Sequence, residues 1–297
     1  MKFTLRFALF GLACLASAAP AFAAGDCPAG GVIHFGVEPY DSDAILTPIY
    51  NKIGAAISAE VGCPVEIQIA TSYNAEIEAM RAGKLQIGQF GPLGYVLAHQ
   101  VADAQAVATV ADAKGAPSTY TASIVTWPGS GITTLKGVAG HSFAYSDPAS
   151  TSGHLFPAYA LETVGIDPNK GVQPIYAGSH TASFEALRNH KVDAGELNSQ
   201  TIQAATVQGE YDPKNFITLW QSKKIPIDPI AVYGKLNPVL KAKLTKALRH
   251  LDLSSLTPAE QKVIGTKSGK LVPQQDSSYD QIRALVHVLH IDLTKLS

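Results

Sequence analysis

The chain is expected to be an α/β protein of two lobes, each a mostly parallel sheet flanked by helices, with a cleft between them. Three observations lead there. Strand-period and helix-period segments alternate along most of the chain, the pattern of parallel sheets covered by helices. The 297 residues are enough for two lobes with buried cores. Turns rich in hydroxyl residues open helices in both halves, where open sheets place their ligands.

The first 23 residues stand apart. Lys2 and Arg6 precede an apolar run from Phe7 to Ala19, and Ala21-Phe22-Ala23 is a small-x-small cleavage pattern. This reads as a secretory signal peptide rather than a membrane span. Cys14 lacks a large aliphatic residue three places upstream, which disfavours a lipid anchor. Cleavage removes two of the 23 cations and none of the 24 acids, so the formal charge moves from -1 to about -3. With no basic block, nucleic acid is not expected as a partner. Cys27 and Cys63 remain in the exported chain and are a disulfide candidate, with no metal pattern around them.

In the first half, strands are expected at 32–37, 64–70, 85–90, 106–110 and 120–126. Ile45, Leu46, Ile49, Ile53 and Ile57 have helical spacing within 44–61. Further helices are expected over 74–81 and from about Leu93. The second half repeats the style, with strands at 141–145, 173–176, 192–197 and 216–221. Its helices are a segment ending near Thr163, then 181–189 and 200–207. The segments 238–251, 258–264 and 279–289 read as helices.

Four strand-to-helix turns can carry chemistry: Ala70 to Asn74, Phe90 to Tyr95, Ser150 to Gly153, and Gly178 to Thr181. A helix start exposes unpaired N–H donors and the positive end of the helix dipole, a ready anion site. Ser150, Thr151 and Ser152 add three hydroxyl donors, and Gly153 allows close backbone approach. No lysine or arginine stands in 147–157, so neutral dipoles would do the binding. Plain N-capping explains one such turn but not four as readily. Asp228, between two prolines in IPIDP at 225–229, would accept a proton carried by the ligand and repel a fully ionised anion.

Ser150, His180 and Asp228 can be drawn as nucleophile, base and orienter, but no G-x-S-x-G elbow surrounds Ser150, so the chain is not expected to be an enzyme. His287 and His290 are three apart near the C-terminus with no further ligand close in sequence, so no metal and no cofactor are expected.

These motifs resemble the phosphonate/phosphite/phosphate-binding proteins of ABC importers. SYNAEIEAM at 72–80, FGPLGY at 90–95, STYTASIV at 118–125, DPASTSGHLFP at 147–157, GSHTAS at 178–183 and IPIDP carry the likeness. It implies a type II periplasmic binding protein, with lobe one 24–123 plus 229–297 and lobe two 124–228. It also implies a periplasmic, monomeric subunit that captures a small phosphorus oxyanion by hinge closure and docks on an inner-membrane permease. Phosphite or methylphosphonate is favoured, then phosphate, then 2-aminoethylphosphonate. The alternative is presentation of the same anion to a sensor kinase or chemoreceptor. Implied contacts are Tyr73, Tyr120, Ser150, Thr151, Ser152, His180 and Asp228, with Gly91, Tyr95 and Gln200 as further candidates. Relatives that hold an amine carry a glutamate near the position of Gln200, which weakens aminoethylphosphonate here.

Overall fold

The computed structural model describes residues 27–289. The signal segment, Cys14 and His290 lie outside them. Two mixed sheets organise the chain. The first contains β1 (Ile33–Val37), β2 (Val65–Ile69), β3 (Ile87–Gln89), β4 (Ala104–Val110), β12 (Pro229–Tyr233) and β13 (Leu271–Pro273), in the order β13-β4-β12-β3-β1-β2. The second contains β6 (Ser123–Thr126), β7 (Ser142–Tyr145), β8 (Gln173–Tyr176), β9 (Ala194–Glu196) and β10 (Ile217–Gln221), in the order β10-β6-β9-β7-β8. Two short strands, β5 (Thr119–Tyr120) and β11 (Ile225–Pro226), pair antiparallel where the chain passes between the sheets.

The sheets are less parallel than the alternating pattern implies. β2, β1 and β3 run parallel, as do β8, β7 and β9. β12, β4 and β13 pair antiparallel, as do β6 with β9 and with β10. The cause is connectivity. β12 re-enters the first sheet directly from the other sheet, with no crossover helix to force a parallel strand. Its Pro229 is tolerated because it stands at the first strand position.

Helices α1 (Asp43–Val61), α2 (Tyr73–Arg81), α3 (Pro92–Ala102), α7 (Pro238–Leu248), α8 (Pro258–Val263) and α9 (Asp280–Val288) accompany the first sheet. In α1 the buried side chains Leu46, Ile49, Ile53 and Ile57 recur at three to four residues and pack on Ile33, Phe35 and Val37 of β1. Helices α4 (Phe156–Thr163), α5 (His180–Arg188) and α6 (Ser199–Gln208) flank the second sheet. None of the helices described is long and apolar enough to cross a membrane.

Cys27 and Cys63 form a disulfide with their Cα atoms 5.8 Å apart, closing a loop of 36 residues' separation. It ties the chain before β1 to the end of α1. Reduction is expected to lower unfolding stability by about 3–4 kcal/mol. Urea unfolding with and without reductant measures this, and equal midpoints would contradict it.

Candidate functional site

The carboxyl end of β7 leads into the hydroxyl turn, and local chemistry shapes it tightly. Ala149 N–H donates to Asp147 Oδ1 at 2.8 Å, folding the turn back on itself. Ser150 then caps the following helix by accepting Gly153 N–H at 3.1 Å. The first turn, Thr151–Leu155, is a wide π turn, with Phe156 N–H reaching Thr151 O. Such turns are frequent at functional sites because they re-aim side chains. Gly153 is needed for a different contact than close approach to an anion. A Cβ there would lie 1.7 Å from Ser146 Oγ and 2.9 Å from His180 Cε1. The glycine makes room for the imidazole.

His180 opens α5, and its turn is capped by Ser179, which accepts Ala182 N–H at 3.0 Å. Its Nε2 lies 3.2 Å from Ser150 Oγ, and its Nδ1 lies 2.8 Å from Glu196 Oε1 on β9. A carboxylate can only accept, so Nδ1 carries a proton. Burial alone opposes the charged ring, but the carboxylates of Glu196, Asp228 and Asp147 outweigh it and raise the His180 pKa. The ring is therefore biased toward imidazolium. Sequence reading drew Asp228 as the orienter of this histidine. The structure gives that place to Glu196, because β9 ends directly beneath α5.

These groups line a cavity of about 40 Å³ between the two sheets. One water needs about 10–15 Å³ of such space, so a compact ion of a few oxygens fits and a bulky one does not. Ser150, Thr151, Ser152, His180, Asn198 and Gln200 come from the second-sheet side, and Tyr73, Gly91, Tyr120 and Asp228 from the other side or the connecting strands. Among the described lining residues there is no lysine or arginine. Ser150, Thr151, Ser152, Tyr73 and Tyr120 are all at most 5% exposed. Burial pushes the Tyr73 and Tyr120 hydroxyls up, so both stay protonated donors. Asn198 Nδ2 donates to Ser152 Oγ at 3.3 Å, and the Ser152 and Thr151 hydroxyls both face the Tyr120 hydroxyl.

Asp228 sits at the switch from the short connecting strand to β12. Its Oδ2 accepts Gln89 Nε2 at 3.0 Å. Burial raises its pKa to about 7, against the opposing pull of His180.

Two expected contacts differ. Gly91 lines the cavity, but its N–H already donates to Glu38 Oε2 at 2.7 Å. It is not free for a ligand. Tyr95 is not in the cavity. Its position in α3 turns it into the core, against Tyr279, with its hydroxyl donating to Asp276 Oδ1 at 2.7 Å. Sequence reading also missed Glu38, Tyr40, Asp41, Asn198 and Thr201. Glu38 to Asp41 follow β1 directly, so the rule that ligands lie beyond strand ends could have found them.

Two side-chain hydrogen bonds join the two sides beside the cavity. Leu93 N–H donates to Thr151 Oγ1 at 2.8 Å, and Thr181 Oγ1 donates to Asp41 Oδ1 at 2.8 Å. No cluster of three or more metal-ligating side chains occurs among the described residues.

A family model described as ABC transporter, phosphonate, periplasmic substrate-binding protein matches residues 35–279. The phosphate-import protein PhnD of Mycolicibacterium smegmatis is 27% identical, over 84% of this chain and 83% of its own. The phosphonates-binding periplasmic protein of Escherichia coli is 27% identical, over 71% and 64%. Among solved structures, a binding protein component of an ABC phosphonate transporter from Pseudomonas aeruginosa aligns with a TM-score of 0.75 at 25% identity, over 86% and 85%. PhnD1 of Prochlorococcus marinus in complex with methylphosphonate aligns at 0.76 and 19% identity, over 88% and 98%, a likeness of fold.

Proposed function

Because the chain belongs to the family of periplasmic phosphonate-binding proteins of ABC transporters, we propose that it captures one small phosphorus oxyanion, phosphite or methylphosphonate before phosphate, and phosphate before 2-aminoethylphosphonate. The observation that carries this is the all-neutral hydroxyl cup at 150–152 with His180 at its edge, inside a cavity of about 40 Å³. Three P–O oxygens meet the Ser150, Thr151 and Ser152 hydroxyls and the imidazole. Each bond to a charged oxygen is worth about 1.5–3 kcal/mol. The small cavity and the absence of an acid at Gln200 favour a small, uncharged substituent.

Capture works by closure. The lobes are 24–123 with 229–297, and 124–228, joined near Ser123 and Asp228. An open cleft admits the ion, and an ion that touches both sides stabilises the closed form by the difference in contact. The bonds from Leu93 to Thr151 and from Thr181 to Asp41 are those that closure would form. The closed form then docks on the permease, and no covalent step is needed.

Calorimetric titration of residues 24–297, stripped of co-purified ligand, tests the reading against phosphite, methylphosphonate, phosphate, 2-aminoethylphosphonate and sulfate. Tight binding of phosphite or methylphosphonate without a sulfate response is the expected result. No response to any phosphorus compound would overturn it.

A further inference from the structure

Asp147 is a buried acid to which the capture scheme above gives no task. It stands between β7 and the hydroxyl turn, is 6% exposed, and is not among the residues that line the cavity. Its backbone and its side chain are both fixed to that turn. Its carbonyl oxygen accepts Ser150 N–H at 2.9 Å, and its Oδ1 accepts Ala149 N–H at 2.8 Å. Wherever Ser150, Thr151 and Ser152 move, the Asp147 carboxyl moves with them.

The same carboxyl takes a second donor, and this one comes from the first-sheet side. It is the Tyr73 N–H, at the start of α2. Within α2 the Ala75 N–H goes to Ser72 Oγ at 3.1 Å, and the Glu76 N–H goes to Ser72 O at 3.3 Å. The Tyr73 and Asn74 N–H groups are left without an acceptor inside the helix, as at any helix start. A carboxyl suits this place better than a neutral oxygen, because it also meets the positive end of the helix dipole. Burial pushes the Asp147 carboxyl up, and the Ala149 and Tyr73 N–H groups and His180 oppose that push. α2 matters to the cavity through its first residue. Tyr73 is 2% exposed, and it lines the cavity. The contact therefore joins the same two sides as Thr151 with Leu93 and Thr181 with Asp41. Together the three tie turns of the second-sheet side to the stretch before α1, the start of α2 and the start of α3.

We propose that Asp147 is a positioning residue that latches the closed cleft: its carboxyl, carried by the hydroxyl turn, takes the Tyr73 N–H at the start of α2 and so sets Tyr73 against the bound oxyanion. The inference rests on the function proposed above. Asp147 touches no ligand atom and acts through Tyr73. With the sides apart, the Tyr73 N–H has water as its acceptor. With the sides together, it has the carboxyl, and the spacing between Tyr73 and the Ser150–Ser152 hydroxyls is fixed by one side chain.

The test is phosphite binding and residue-resolved amide hydrogen exchange in the wild type and Asp147→Asn, with methylphosphonate in place of phosphite if it binds the wild type more tightly. The amide of Asp147→Asn keeps the shape but has one acceptor oxygen for two N–H groups. Ala149, in the same turn, keeps that oxygen, and the amide NH2 is left facing Tyr73. Asp147→Asn is expected to bind about tenfold more weakly or worse. The loss should lie in faster dissociation, with association within about threefold of wild type, because the latch forms after encounter. In the wild type, saturating ligand should slow exchange of the Tyr73 amide about tenfold or more, and in saturated Asp147→Asn by less than about threefold. The Leu93 amide should be slowed in both, because its acceptor Thr151 is unchanged. Thermal unfolding of ligand-free Asp147→Asn checks the fold. Wild-type affinity in Asp147→Asn, or equal slowing at Tyr73 in both proteins, would overturn this inference alone. So would loss of slowing at Tyr73 and Leu93 together, which would reduce Asp147 to a support of its own turn. A wild-type Tyr73 amide unmoved by saturating ligand would overturn it even if Asp147→Asn did not fold. Silence of the wild type toward every phosphorus compound named above would overturn the proposed function and this inference with it.

Discussion

Thr151→Val is expected to weaken phosphite binding by about two orders of magnitude, with little change in the stability of the ligand-free protein. The threonine does two things at once. Its oxygen accepts Leu93 N–H at 2.8 Å, and in the proposed complex its hydrogen turns from Tyr120 to the ligand. Valine has the same shape and neither function. Loss of a hydrogen bond to a charged oxygen costs about 1.5–3 kcal/mol, and loss of the neutral bond adds about 0.5–1.5 kcal/mol. At 1.4 kcal/mol per tenfold, these give roughly thirty- to thousandfold weaker binding. Ser150→Ala and His180→Ala should each cost about 1.5–3 kcal/mol of binding for one lost contact. Ser150→Ala should also lower stability by about 1 kcal/mol, because that oxygen caps the helix through Gly153. Calorimetric titration and thermal unfolding separate the two effects. Thr151→Val binding phosphite within threefold of wild type would remove this residue from the site.

The part of the candidate site beside the second sheet was legible because its chemistry is local. Ser150, Thr151 and Ser152 are adjacent, and His180 follows the next strand in a second capped turn, so strand period plus helix-start chemistry finds both. Glu196 was not read as a partner of His180. It lies inside an apolar strand segment, and only the parallel pairing of β7 with β9 brings it under α5. Glu38 was missed for a related reason. Its neighbour Pro39 makes the segment read as an ordinary strand exit, and nothing in the sequence says that its carboxyl meets Gly91, 53 residues away.

The fold shows the same division. Helices such as α1 and strands such as β2 follow from spacing alone. β12 did not, because its apolar run begins at a proline and has no alternation, although it is central in its sheet. The expected strand 120–126 is split into β5 and β6 at Thr121 and Ala122, where the chain passes from one pairing to another. Long-range pairing decided these segments, and local pattern does not contain it.

The ligand-free protein is expected to lose stability as the pH rises from about 4 to above 7, and Asp228→Asn is expected to abolish part of that loss. Asp228 is held at about 7 in the fold, against 3.8 for the ordinary carboxyl. Between those values the folded chain holds a proton that the unfolded chain has released. Its contribution is therefore fully present below the unfolded pKa and is lost as the pH rises through the folded one. At 1.36 kcal/mol per pKa unit, the ceiling is roughly 4 kcal/mol. Asp228 is only partly buried, and solvent screening makes the measured figure smaller. Glu38 and Glu76 are raised by burial and add loss of the same sign, so Asp228→Asn should flatten the profile without levelling it. Urea midpoints at pH 5 and pH 8 for wild type and Asp228→Asn give the comparison. Binding should show the counterpart. An anion beside Asp228 favours its neutral form further, so phosphite capture near pH 7.5 should draw protons from the buffer. Titrations in buffers of different ionisation enthalpy measure that uptake. If it were the same in wild type and Asp228→Asn, the carboxyl would have no part in reading the ligand's charge.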